Sequence, residues 1–316
     1  MANDRYTYAE KSGAEYVPGG PLFFVFHGTG GNEIQFLDVA TELMPTAHVI
    51  SPRGDVSEMG ALRFFRRAAE GVYDFDDLAK RTSNMKSFVE AHVEHHKPSA
   101  VIGLGYSNGA NILALVMDQA PALFDHAMLM HPLVTWEFPM VGDMNNSRIL
   151  ITAGGRDPIC PPDMTGKLAE MFERRGAAVQ TFWHAGGHEI APAEFEAIRE
   201  FAAEVAAVIA GPDALQIERE DDGKKGRYFV RAPGGVEAEM TYTWGRPGCV
   251  IIDHTEVPDV FRGQGVGLRL LKQLVADARS TPFEVVPLCP FAAAQFKRHS
   301  ELTDVLDDSV KLKSTV

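Results

Sequence analysis

The stretch AVIGLGYSNGANILALVMDQ, residues 100–119, reads as a short apolar strand (100–104), then Gly105-Tyr106-Ser107-Asn108-Gly109, then an apolar helix from 108 to 119. The serine of a G-x-S-x-G turn sits on a strained strand-to-helix junction, and glycines two residues to either side let backbone pack where a Cβ would clash. Strand, turn and helix are all present in order. A chance glycine-rich turn is the competing reading, and the flanking strand and helix favour a serine nucleophile at Ser107.

Working outward, short apolar runs alternate with longer amphipathic ones from Pro21 to Ala210. Strands are expected at 22–27, 48–51, 100–104, 126–130 and 148–153, with a weaker one at 180–184, and helices at 76–95, 108–119, 163–175 and 192–209. Strands alternating with helices predict an α/β fold, a mostly parallel sheet with helices on both faces. Gly211-Pro212-Asp213 then reads as a helix stop and a turn. The domain boundary is placed there, giving domains 1–210 and 211–316.

A serine at its ordinary pKa needs a base, and the base needs an acid that fixes its tautomer. In this kind of fold the acid and then the histidine follow the serine along the chain. Asp157, in Gly154-Gly155-Arg156-Asp157-Pro158, lies just past the end of the 148–153 strand, and His188, in Gly186-Gly187-His188, follows the 180–184 strand. His184, on a strand, and His131, before Pro132, are the competing bases; loop position and chain order favour His188. His27-Gly28-Thr29-Gly30-Gly31 follows the first clear strand, where backbone N–H groups for an oxyanion are expected, so Thr29 and Asn108 are the candidate donors. His27 reads as a structural histidine that shapes this loop. Arg63-Phe64-Phe65-Arg66-Arg67 reads as a solvated basic turn paired with nearby Asp74, Asp76 and Asp77.

At 316 residues the chain holds about two domains. Its 45% hydrophobic and 23% charged residues are those of a folded globular protein. The net charge of −13 divides into −11 over residues 1–210 and −2 beyond, which offers no general attraction to nucleic acid or to an anionic membrane. No apolar stretch reaches membrane-spanning length, and the first residues lack a signal peptide's apolar core, so a cytoplasmic protein is expected. Cys160, Cys249 and Cys289 are too scattered for a disulfide framework or a zinc site. Small molecules are the expected partners, and no metal is expected. A homo-oligomer is left open.

After residue 211 the chain changes to charged, glycine-punctuated strands at 215–220, 227–232, 236–244 and 249–257, then a helix at 265–279, a strand at 284–288 and a helix at 292–299. Arg262, Gly263, Gln264, Gly265, Val266 and Gly267 open the first of these helices. Backbone N–H groups free of side chains at the positive end of a helix suit a pyrophosphate. The preceding meander argues against a dinucleotide-binding βαβ unit, and a plain helix-start turn is the alternative.

Residues 20–209 resemble the α/β-hydrolases of the phospholipase/carboxylesterase and dienelactone-hydrolase-like group. HGTGGNE (27–33), RFFRRAAEGVYDFDDL (63–78), GYSNGANI (105–112), HPLV (131–134) and GRDPICPP (155–162) are similar to the small bacterial hydrolases linked to hydroquinone and quinone resistance. The resemblance implies a carboxylesterase with Ser107, Asp157 and His188 as its triad, and for Arg63–Arg67 it implies an apolar wall with a cation over the site rather than a solvated turn. Residues 215–306, through IDHTEV (252–257), the R-x-x-G-x-G-like loop and PLCPF (287–291), resemble the small YjdJ-type branch of the GNAT acetyltransferases. This implies that Arg262–Gly267 binds the pyrophosphate of acetyl-CoA, with His254 and Cys289 at positions of proposed chemistry; a buried structural cysteine and a satisfied histidine are the other readings. Ser300 departs from the family pattern, where a proline usually follows the histidine. The expectation is a serine carboxylesterase acting on small esters, fused to an acetyl-CoA-dependent acetyltransferase. An acyl-CoA thioesterase, or a non-catalytic acetyl-CoA sensor as the second domain, is the alternative.

Overall fold

The computed structural model describes residues 6–69, 72–135, 142–232, 235–258, 261 and 265–311. They fall into two compact units, 1–202 and 203–316, dividing inside a helix. Among the described residues no helix is long and apolar enough to cross a membrane.

The first unit contains strands β1 (Tyr8–Ser12), β2 (Leu22–Phe26) and β3 (His48–Pro52), two hairpins formed by β4 (Val56–Glu58) with β5 (Ala61–Arg63) and β6 (Arg67–Ala69) with β7 (Val72–Tyr73), then β8 (Val101–Tyr106), β9 (His126–Met130), β10 (Arg148–Gly154) and β11 (Ala178–His184). Seven of these make one sheet in the order β1-β3-β2-β8-β9-β10-β11, parallel except for the antiparallel edge strand β1. The helices are α1 (Leu37–Leu43), α2 (Phe75–His96), α3 (Asn108–Gln119), α4 (Pro162–Glu173) and α5 (Pro192–Ala214). Helices over both faces of a parallel sheet force its strands to be apolar throughout. β2, β3 and β9 are accordingly buried at every position.

The sequence reading anticipated the parallel strands but missed β1, the two hairpins and α1. β1 has no buried position and is mostly exposed, and its pairing with β3 makes it a strand. Helix α2 starts where the Asp74 carboxylate caps the Asp77 N–H at 3.1 Å and stops where Lys97 turns left-handed. Its buried face carries Leu78, Met85, Phe88 and Val89. Phe88 meets Tyr6, Tyr8 and Phe24 edge-on, and truncating such a ring costs ~3–5 kcal/mol. Helix α3 is buried from Asn108 to Met117, so the element carrying the serine turn is the most enclosed helix of the unit.

The helix α5 runs from Pro192, and its backbone leaves helical geometry at Gly211, the residue at which the sequence reading placed the domain boundary; the compact units divide earlier in the same helix. The second unit holds the sheet β12 (Glu218–Asp221), β13 (Lys225–Arg231), β14 (Glu237–Trp244), β15 (Cys249–Glu256) and β16 (Glu284–Pro287), with α6 (Val266–Ser280), α7 (Pro290–Arg298), a 3-10 turn (Ser300–Val305) and α8 (Asp308–Lys311). The strands form an antiparallel meander closed by the parallel pair β15 and β16. One face of α6, with Leu270, Leu271 and Leu274, shares a core with Tyr228, Met240 and Tyr242 of the sheet. The β15–β16 pairing ends at Ile252 and Pro287, while β15 continues to Glu256 paired with β14 alone.

Candidate active site

Ser107 caps α3 with φ 52° and ψ −115°, a left-handed backbone that a residue with a side chain adopts at a cost of ~1–3 kcal/mol. Its N–H donates to the Met130 carbonyl at 2.8 Å, and its carbonyl accepts from the Asn111 N–H at 3.0 Å. The glycines of the motif have a geometric cause. A Cβ on Gly109 would lie 2.2 Å from the Phe26 carbonyl oxygen, and one on Gly105 would lie 2.6 Å from the Gly109 carbonyl oxygen.

The structure brings Ser107, His188 and Asp157 together. The His188 Nε2 lies 2.8 Å from the Ser107 Oγ, and its Nδ1 donates to the Asp157 Oδ2 at 2.7 Å. The loops that carry them leave the C-terminal ends of neighbouring strands: Asp157 follows β10 and His188 follows β11. The Tyr106 hydroxyl donates to the His188 carbonyl at 2.7 Å, tying the histidine's loop to the end of β8. Burial disfavours the Asp157 carboxylate, but N–H donation from Cys160 and Ile159 and from the rings of His131 and His188 outweighs it and holds the pKa below the usual carboxylate value.

Behind Asp157 lies a group that the sequence reading did not find. Asp157 Oδ2 also accepts from the Nδ1 of His131 at 2.8 Å, and the far nitrogen of that ring faces Glu194 at 3.3 Å. Glu194, in the first turn of α5, is fully buried and accepts from the Thr152 hydroxyl at 2.5 Å and from the Ala191 N–H at 3.0 Å. Burial opposes the charge of His131, yet its bonds to Glu194 and Asp157 raise its pKa above the ordinary value. Burial likewise works against ionised Glu194, and hydrogen bonds from His131 and Thr152 reverse the effect, leaving its pKa lowered. His131 and His184, the competing bases of the sequence reading, are therefore neighbours on the far side of the acid, 3.5 Å apart, and neither touches Ser107 among the described contacts. His131, His184 and Glu194 bring three atoms close enough to hold a metal ion, but each already has a hydrogen-bond or ionic partner in this network.

Ser107 opens on a pocket of about 220 Å³, lined also by Thr29, Asn108, Arg63, Arg67 and Ile159. The Asn108 N–H is in the first turn of α3, where helical geometry supplies no acceptor. Its side-chain oxygen accepts from the Phe64 N–H at 2.7 Å, which fixes the 63–67 segment against the serine turn. His27 is built into the Thr29 loop: Nδ1–H donates to the Gly28 carbonyl at 2.7 Å and Nε2 accepts from the Gly54 N–H at 2.9 Å. Burial lowers its pKa, consistent with this neutral tautomer. Cys160 is buried and donates to the His131 carbonyl, and burial pushes its thiol pKa up, a packing role rather than a nucleophile's.

In the second unit, Arg262, Gly263 and Gln264 lie outside the described residues. Gly265 caps α6 at φ 68°, with Val266 and Gly267 as the first helical residues. Among the described residues no side chain caps this terminus, and no acidic residue sits in its first turn. His254 is exposed on β15, whereas Cys289 is buried at the start of α7 with its Sγ 3.4 Å from the Thr255 hydroxyl. Successive side chains of a strand point to opposite faces, so contact with Thr255 places Cys289 across the sheet from His254. The structure does not bring this pair together.

Comparison with known proteins matches both halves. The chain is 37% identical over 182 residues to the putative hydrolase MhqD of Bacillus subtilis, covering 57% of this chain and 91% of that protein. A solved protein of unknown function from Agrobacterium tumefaciens is 51% identical, with TM-score 0.61, over 64% of this chain and 98% of its own. A Bacillus cereus carboxylesterase is 33% identical, with TM-score 0.60, over 63% of this chain and 94% of its own. Residues 227–305 match the family described as GCN5-related N-acetyl-transferase. The chain thus belongs to the family of α/β-hydrolases that includes MhqD, within the phospholipase/carboxylesterase group, and carries a GNAT-like domain after its hydrolase fold.

Proposed function

We propose that the protein is a serine carboxylesterase acting on small carboxylic esters through an acyl-enzyme, with residues 1–210 as its esterase domain. The observation that carries this reading is the unbroken line of contacts from the Ser107 Oγ through both ring nitrogens of His188 to Asp157. His188 takes the serine proton as Oγ attacks the ester carbonyl, and Asp157 holds the ring in the required tautomer. The N–H groups of Thr29 and Asn108 receive the developing oxyanion. Collapse expels the alcohol, which takes its proton from His188. Water then attacks the acyl-enzyme with the same ring as base and releases the acid. The similarity to the Bacillus cereus carboxylesterase supports the reaction class.

Residues 211–316 are read as an acetyl-CoA-binding domain. A helix start at Gly265 with no capping side chain among the described residues and no first-turn carboxylate suits a pyrophosphate, so Gly265, Val266 and Gly267, with Arg262, Gly263 and Gln264 before them, would hold it. Bound acetyl-CoA supplies an activated acetyl thioester. His254 is open to an acceptor's proton, and buried Cys289 serves packing. The fused domain also favours a second reading, an acyl-CoA thioesterase fed by its neighbour. Hydrolysis of p-nitrophenyl esters of graded chain length and of acetyl-CoA by the full chain separates the two. Turnover of short esters with no loss of acetyl-CoA supports the carboxylesterase; the reverse supports the thioesterase.

A further inference from the structure

The only charged side chains lining the serine pocket, among the described residues, are two guanidiniums, Arg63 and Arg67; no carboxylate lines it. This occurs in a domain whose net charge is −11. Arg63 is almost wholly buried. Its Nη1 donates to the Thr29 hydroxyl at 3.0 Å and its Nε to the Phe65 carbonyl at 3.3 Å. One carboxylate serves both cations: Glu58 accepts from the Arg67 Nε at 3.0 and 3.1 Å and lies 3.4 Å from the Arg63 Nε. A buried charge left without its own counter-ion is costly, and a ligand anion relieves that cost. Burial and the neighbouring Arg67 both work against the Arg63 cation, as expected for an excess of positive charge.

We propose that Arg63 and Arg67 form a carboxylate-binding subsite, so that the esters this enzyme prefers carry a second, ionised carboxylate close to the scissile ester. The inference rests on the carboxylesterase reading and names its substrate class. Ser107 and both guanidiniums line the same pocket of about 220 Å³. A carboxylate on the arginines and a carbonyl on Ser107 therefore belong to one ligand in one pocket. Guanidinium is suited to this task because its planar fork matches a carboxylate.

The test compares esters matched in length, monoethyl glutarate against ethyl pentanoate and 4-acetoxybenzoate against its methyl ester, with the full chain, Arg67→Gln and Arg67→Lys. In the wild type at least one anionic ester is expected to exceed its neutral partner in kcat/KM by about tenfold or more. That ratio collapses in Arg67→Gln and is kept in part in Arg67→Lys, which restores the charge without the planar fork. A ratio taken within each variant is unaffected by the fraction of protein that folds. If the cations only stabilise the oxyanion, neutral and anionic esters fall together and the ratio stays constant, which overturns the proposal. Calorimetric titration with glutarate gives a readout without turnover. Binding that Arg67→Gln abolishes supports the subsite even if no ester is cleaved, a result that would sink the carboxylesterase reading alone. Neutral esters cleaved with no anionic preference and no glutarate binding would overturn the subsite and leave that reading intact.

Discussion

Replacing Glu194 with glutamine removes one charge and almost no volume from the buried line Asp157–His131–Glu194. Glu194 is fully enclosed, and its partners are Thr152, Ala191, the His184 ring at 3.6 Å and a His131 ring that also serves Asp157. Removing one member of a buried ion pair costs ~3–5 kcal/mol when the remaining charge cannot relax. Here His131 can lose its proton and glutamine can still accept from Thr152, so about 2–3 kcal/mol is expected for Glu194→Gln and the full range for Glu194→Ala. The cost depends on pH in a fixed direction. His131 has a raised folded pKa, so its contribution is complete below about pH 6.5 and fades as pH rises through that folded value. Glu194 and Asp157 have lowered folded pKa values, so theirs is present above about pH 4.5 and fades as pH falls through those values. The difference between wild type and Glu194→Gln is therefore largest between about pH 4.5 and 6.5 and shrinks on both sides. Urea unfolding in a Trp244→Phe background, where the remaining tryptophans lie in the hydrolase unit, reads this out as a midpoint shift of about 1 M at pH 6. A shift that is absent at pH 6, or that grows steadily toward pH 9, would refute a charged His131 between two carboxylates.

Two other expectations follow from the backbone. Gly109→Ala puts a methyl 2.2 Å from the Phe26 carbonyl and 2.5 Å from that of His27, both backbone atoms that cannot yield cheaply. A loss of about 2–4 kcal/mol in urea stability, with esterase activity falling more steeply than folded fraction, is the expected outcome. In the second unit, CoA at a hundredfold excess over its Kd should stabilise by about 2.7 kcal/mol. Gly265→Val, which forces a β-branched residue to φ 68°, should remove that stabilisation as followed by thermal unfolding.

What the sequence disclosed and what it withheld divide along the range of the interactions. The serine turn is local: strand, strained residue, helix and the two glycines all lie within about twenty residues, so 100–119 could be read without its surroundings. The positions of Asp157 and His188 followed from chain order and strand ends. Glu194 was invisible because an acid in the first turn of a helix ordinarily faces solvent and complements the helix dipole. Only the tertiary placement of the first turn of α5 beside Thr152 and His131 buries it. His131 carried a faint signal, a histidine at a strand end before Pro132, but its left-handed backbone at φ 49° and its place behind the acid are tertiary facts. The arginine pair was seen as a basic segment. Whether it faced solvent or the serine depended on two short hairpins whose strands of two or three residues are too brief to show a period.

The most direct test of the account is the esterase kcat/KM of Ser107→Ala on the best ester of the series, with intact-mass detection of an acyl adduct in the wild type. A loss of about a thousandfold or more and an adduct that maps to Ser107 are expected. Turnover within a few fold of wild type, or an adduct on another residue, would contradict it.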